Sequence, residues 1–139
     1  MDTFPLEIIS PEGTKYKDVA ERITVNTRSG QLTILPKHVP LFTILEPGEL
    51  IIHTQNHEEY YSIGGGFLEV SSQKVLVLAD KAVHAQEIDE QKVLEAQKRA
   101  EEILKEKPKG EIHINAKAAF RRSLIDLKIA KRRKHKLTV

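Results

Sequence analysis

Apolar and polar positions alternate along the first part of the chain, to about residue 86. Val, Ile, Thr, Leu and Tyr recur in short runs with a period of two, which predicts strands with one face buried. The runs are Pro5–Ser10, Thr14–Asp18, Arg22–Thr27, Gln31–Leu35, Leu41–Leu45, Glu49–Thr54, Glu58–Ile63, Phe67–Ser71, Lys74–Leu78 and Ala82–Gln86. Turn chemistry separates them at Pro11-Glu12-Gly13, Ser29-Gly30, Pro36-Lys37, Pro47-Gly48 and Asp80-Lys81. Short strands at this close spacing predict a sandwich or barrel over residues 1–86.

Near Asp89 the period changes to 3.6, and residues 87–139 read as a helical hairpin. Asp89 suits an N-cap, and Glu90 sits where the helix dipole favours an acid. Val93, Ala96, Ala100, Ile103 and Leu104 form one stripe, giving a helix over about 89–107. Pro108 and Gly110 end it. A second helix is predicted over about 115–134. Ala116, Ala119, Phe120, Leu124, Leu127 and Ala130 form one of its stripes. Ala118, Ile125 and Ile129 form another, with Lys117, Arg121, Lys128 and Arg132 in the wedge between. The short connection favours antiparallel packing. One stripe suffices to dock on the first helix, so a second points to a further surface or to two docking arrangements.

Charge sharpens the picture. Residues 1–112 carry 13 Lys/Arg against 19 Asp/Glu, a net −6. Residues 113–139 carry 9 against one, Asp126, a net +8. The basic segment calls for an acidic counter-surface, although a solvated helix face is the plainer reading of any charge run. There is no cysteine, which excludes disulfides and thiolate chemistry. No basic n-region opens the chain, and no apolar run approaches the roughly 20 residues of a membrane helix.

Catalytic patterns are wanting. Gly64-Gly65-Gly66 is followed by neither Lys-Ser/Thr nor a helical pattern, so it reads as a tight turn or a close backbone approach rather than a phosphate loop. His53, His57 and His84 lack metal-ligand spacing. No nucleophile–base arrangement stands out, and no enzymatic activity of the chain itself is expected.

The runs Gly30-Gln31-Leu32-Thr33-Ile34-Leu35-Pro36-Lys37-His38-Val39-Pro40-Leu41 and Gly64-Gly65-Gly66-Phe67-Leu68-Glu69-Val70 resemble the ε subunit family of F-type ATP synthases. So do Val77-Leu78-Ala79-Asp80-Lys81-Ala82, Ile88-Asp89 and Lys98-Arg99-Ala100-Glu101-Glu102. The resemblance spans nearly the whole chain, in the family's order. It implies a ten-stranded β-sandwich followed by two antiparallel helices. It further implies a rotor subunit whose sandwich binds the γ subunit and the polar loops of the c-ring. The hairpin then lies folded or extends along γ, where its basic helix meets acidic loops of the β and α subunits and restrains ATP hydrolysis. The groups so implied are Arg121, Arg122, Lys128, Lys131, Arg132 and Arg133. Gln31 and His38 fall where the c-ring or stalk contact is expected, on loops at one end of the sandwich. Gln31 stands where the family often has an acid.

Some bacterial members bind ATP between the helices, through Ile or Leu, Asp, two variable residues, Arg and Ala. Here Ile88 and Asp89 match, Lys92 lacks arginine's planar fork, and Val93 is bulkier. Arg99 and Arg122 fit the basic pattern, but Ile103 stands where a further arginine is expected. The resemblance therefore implies weak or absent regulatory ATP binding and no other cofactor. It implies a peripheral protein on the cytoplasmic face of the bacterial plasma membrane, reached only through the complex. A different reading of the residues is a small β-sandwich nucleic-acid-binding protein with a basic tail. The acidic β region and the seven aromatics argue against it.

Overall fold

The computed structural model describes residues 2–138, with side chains through residue 132. The chain folds as two units, Met1–His84 and Ala85–Val139.

The first unit holds the strands β1 (Phe4–Ser10), β2 (Gly13–Ala20), β3 (Arg22–Thr27), β4 (Gly30–Ile34), β5 (Leu41–Leu45), β6 (Gly48–Thr54), β7 (His57–Ile63), β8 (Gly66–Val70), β9 (Val75–Ala79) and β10 (Ala82–His84). Alternation sets their faces. In β1, Phe4, Leu6, Ile8 and Ser10 point inward while Pro5 is exposed. The ten strands join one sheet in the order β10-β7-β6-β3-β5-β8-β9-β1-β2, with β4 paired to β3 off this path. Among the described residues the pairings are antiparallel, except that β1 runs parallel to β9.

The sheet closes on itself as a β-sandwich. Tyr61 in β7 donates its hydroxyl to the Lys15 carbonyl in β2 at 3.3 Å, and the Tyr16 and Tyr61 rings meet edge-on at 6.4 Å. Leu6, Ile8, Ile23, Val25, Ile34, Leu50, Ile52, Leu68 and Val77 fill the interior with no appreciable exposure. Each such side chain contributes roughly 1.5–3 kcal/mol on burial.

The alternate turns gather at opposite ends. The turns after β1, β3, β5, β7 and β9 share one end, because Ser10 pairs with Gly13, Thr27 with Gly30 and Leu45, and Gly66 with Leu45 and Ala79. The β4–β5 loop, the β8–β9 turn and the start of β1 share the other, where Leu41 pairs with Val70 and Leu6 with Val75.

The second unit begins with a 3-10 turn, Ala85–Glu87. The strand pattern predicts β10 through Gln86; instead the backbone tightens after His84, with the Ile88 amide bonded to the Ala85 carbonyl at 3.3 Å. Helix α1 spans Glu90–Lys105, and the Asp89 side chain caps it by accepting from the Lys92 amide. It stops short of Lys107, which adopts a left-handed φ of 51°. Helix α2 spans Glu111–Thr138, four residues earlier than the stripe suggests. Gly110, at φ 68°, turns the chain, and its carbonyl accepts from the Ile114 amide at 3.1 Å. The apolar pattern hides this first turn because Ile112 and Ile114 are exposed.

Candidate interaction surfaces

The outer face of β5, β8 and β9 is apolar and uncovered. Phe42, Ile44, Phe67 and Leu78 are 64%, 47%, 44% and 43% exposed. Cross-strand register makes them one patch. Ile44 pairs with Phe67, and Phe67 with Leu78. The Phe42 and Phe67 rings stack at 5.6 Å, inclined by 24°. In the next row Phe42 pairs with Glu69, and Glu69 with Leu76. A contiguous apolar face of this kind marks an interaction site.

Gly66 allows β8 and β9 to approach. Its φ is 148°, and a Cβ there would run into the Leu78 carbonyl and the Ala79 backbone. The adjoining turn is tied by Gly64 N to Lys81 O and Asp80 N to Gly65 O, both at 2.8 Å. The triple glycine therefore serves close backbone approach.

Gln31 and His38 do not share an end of the sandwich, and this corrects the expectation drawn from the family resemblance that both lie on loops at one end. Gln31 lies within β4, opposite Asn26, beside the turn closed by Thr27 Oγ1 donating to the Gly30 carbonyl at 2.8 Å. His38 follows the far end of β4. Its amide donates to Leu35 O at 3.2 Å, and its Nδ1 donates to Val39 O at 2.7 Å. The intervening strand is extended and carries the chain from one end to the other. Lys37 holds a left-handed φ of 63° that turns the loop before His38. Two ion pairs form at the Gln31 end. Arg28 meets Glu46 at 3.5 Å and Lys15 meets Glu12 at 2.9 Å. The hydrogen bond and charge of Lys15 hold the Glu12 carboxyl below its usual range.

In the second unit, Ala116, Ser123, Asp126, Ile129 and Ala130 of α2 are buried. This departs from the apolar stripes. Ser123 and Asp126 join the inward row, while Leu124 and Ala118 are exposed. Ser123 satisfies its hydroxyl on the Ala119 carbonyl at 2.9 Å, so a polar residue sits there at little cost. At roughly 100° per residue, Lys117, Arg121, Lys128, Lys131 and Arg132 fall within one wedge opposite that row. All five are exposed, with Leu124 among them. Arg122 is exposed on a different flank. Arg121, Arg122, Lys128 and Lys131 make no ion pair with another described residue. The side chain of Arg133 lies outside the described residues.

Of the nucleotide candidates, Ile88 is buried and Asp89 is engaged as the cap of α1, its Oδ1 accepting from Lys92 N at 3.3 Å. Lys92 and Arg99 are exposed on one flank of α1, seven residues apart, and Arg122 is exposed on α2. Elsewhere, a groove of about 790 Å³ in the sandwich is lined by Tyr16, Asp18, Glu21, Thr54, His57 and Glu59, among others. Burial, then the Glu59 and Asp18 charges, push the Tyr16 phenol up to about 12. Among the described residues, no group of three or more His, Cys, Asp or Glu is placed to hold a metal ion.

The family described as ATP synthase, delta/epsilon chain, β-sandwich domain matches residues 3–85. An ATP synthase epsilon chain of Alkalilimnicola ehrlichii is 35% identical over 95% of both chains. One of Dehalococcoides mccartyi is 38% identical over 97% of this chain and 98% of that one. The fold is similar to a chain in the Euglena gracilis mitochondrial ATP synthase OSCP/F1/c-ring structure, with TM-score 0.72 and 23% identity over 97% of this chain and 81% of that one. It is also similar to a chain in the Tetrahymena thermophila mitochondrial ATP synthase central stalk/c-ring structure, with TM-score 0.58 and 19% identity over 93% and 97%.

Proposed function

The chain belongs to the ATP synthase epsilon chain family, and from this premise we propose that it is a non-catalytic rotor subunit that clamps the central stalk to the membrane ring and restrains ATP hydrolysis. The observation that carries the coupling role is the uncovered Phe42–Phe67 stack with Ile44 and Leu78. A monomer gains nothing by leaving this patch in water, whereas a stalk subunit that covers it is held by apolar burial. We assign this face to the γ subunit.

The Gln31 end supplies the contact with the polar loops of the c-ring. Arg28 and Lys15 are paired within the chain and Gln31 is neutral, so hydrogen bonding and shape dominate beside it. The His38 loop adjoins the opposite end of the apolar face, because Leu41 follows it into β5. It is therefore a stalk contact in this reading. Two separated contacts let torque pass without slip.

The restraint on hydrolysis resides in α2. Its wedge of cations meets acidic loops of the β and α subunits. One exposed ion pair contributes only about 0–1 kcal/mol, so the brake depends on several acting together, with Leu124 adding apolar contact. ATP is at most a weak ligand of the hairpin in this reading, since Asp89 is occupied as a cap and Lys92 offers a point charge rather than a fork. Among the described residues no helix is long and apolar enough to cross a membrane. The chain reaches the cytoplasmic face of the membrane through its partners. The test is reconstitution: ATP synthase stripped of this subunit should bind the full-length chain tightly and hydrolyse ATP more slowly once it is bound. Failure to bind would overturn the assignment.

A further inference from the structure

We propose that Glu69 receives a lysine or arginine of the stalk partner and thereby fixes the register of docking. The inference rests on reading the β5–β8–β9 face as the docking surface. Glu69 lies in β8 with Phe42 opposite it on β5 and Leu76 opposite it on β9. Phe67, two residues earlier, projects on the same side of the same strand. The carboxylate is exposed and has apolar neighbours on three sides.

The same row contains a second carboxylate, Glu7 of β1, next to Leu76. The two are treated differently by the fold. Lys74 reaches Glu7 at 3.0 Å. Glu69 has no ion pair among the described residues. The free protein tolerates this because water solvates the group. A partner covering Phe42, Phe67 and Leu78 removes that water. Apolar contact cannot replace it, and an unpaired buried carboxylate would oppose docking by more than one aromatic contact returns. A cation placed opposite Glu69 resolves the conflict, and the planar fork of arginine suits a carboxylate best. Because apolar contacts slide easily and a charge pair does not, this pair selects one alignment. The complementary segment is therefore apolar with a single basic residue near its centre.

The experiment titrates full-length chain into ATP synthase stripped of this subunit, at about 0.05 M and about 0.5 M salt, where screening lengths differ severalfold. Phe67→Asp tests the face, and Glu69→Gln tests the charge. Both sites are on the surface, and circular dichroism verifies that each variant is folded. The expected result is that Phe67→Asp abolishes binding. Glu69→Gln weakens it at least about tenfold at low salt and flattens its salt dependence, as loss of one partner of a desolvated pair should. If Phe67→Asp abolishes binding while Glu69→Gln binds within about twofold of the natural chain and keeps its salt dependence, the role of Glu69 is overturned and the face stands. If folded Phe67→Asp binds normally, the face itself is overturned, and this inference with it.

Discussion

Phe42→Ala should weaken attachment to the stalk by about thirtyfold while leaving the free protein folded. An aromatic side chain covers on the order of 200 Å². At 64% exposure, Phe42 offers roughly 130 Å² to a partner. Burying that area is worth roughly 3 kcal/mol at about 25 cal/mol per Å². Alanine keeps part of the contact, and ordering costs consume some of the gain, so about 2 kcal/mol is expected, or about thirtyfold in Kd. The free chain loses only the stack on Phe67, worth roughly 0.5–1.5 kcal/mol. The assay is equilibrium binding of full-length variant to stripped ATP synthase, with a denaturant melt of the free chain alongside. An unchanged Kd would mean that the stalk docks elsewhere, because Ile44, Phe67 and Leu78 each present a smaller share of themselves on this face.

Other consequences can be measured on the free protein. Gly66→Ala should destabilise the sandwich by at least about 3 kcal/mol in urea melts, since a Cβ meets the Leu78 carbonyl at a φ reserved for glycine; a loss under about 1 kcal/mol would mean that β8 and β9 separate easily. Tyr16→Phe should change the alkaline limb of stability. The folded phenol titrates near 12 against an ordinary value of 10.0, so below 10 both states hold the proton, and between 10 and 12 the unfolded chain releases it first. Stability of the natural chain therefore falls with pH across that window by a component that the Tyr16→Phe variant lacks. Melts at several pH values should show the advantage of the natural chain over the variant shrinking as pH rises, and parallel curves would contradict the shift.

Much of the fold was legible because its signals are local. Phe4, Leu6 and Ile8 recur at a period of two around Pro5 and Glu7, and they form the inward face of β1. Asp89 announced α1 by its own side chain. The exposed apolar face was harder to read. Phe42, Ile44, Phe67 and Leu78 occupy the outward positions of strands whose inward positions are also apolar, so periodicity identifies a strand without saying which face lacks cover. Gln31 and His38 illustrate a different limit. Seven residues are close along the chain, but an extended strand between them places them at opposite ends. In α2, Ser123 and Asp126 lie on the buried row while Leu124 is exposed, because helix orientation answers to the whole face rather than to each residue's hydropathy. The basic groups were visible as a charge run, and only the helix geometry separates Arg122 from the wedge of Lys117, Arg121, Lys128, Lys131 and Arg132.

Whether the basic helix brakes hydrolysis is decided by ATP turnover in a rebuilt complex. Stripped ATP synthase is reassembled with the full-length chain, or with one in which Arg121, Arg122, Lys128, Lys131, Arg132 and Arg133 are alanine. Both chains should bind equally, through the sandwich, and hydrolysis should rise severalfold with the alanine chain. Equal binding with unchanged hydrolysis would show that these cations are not the brake.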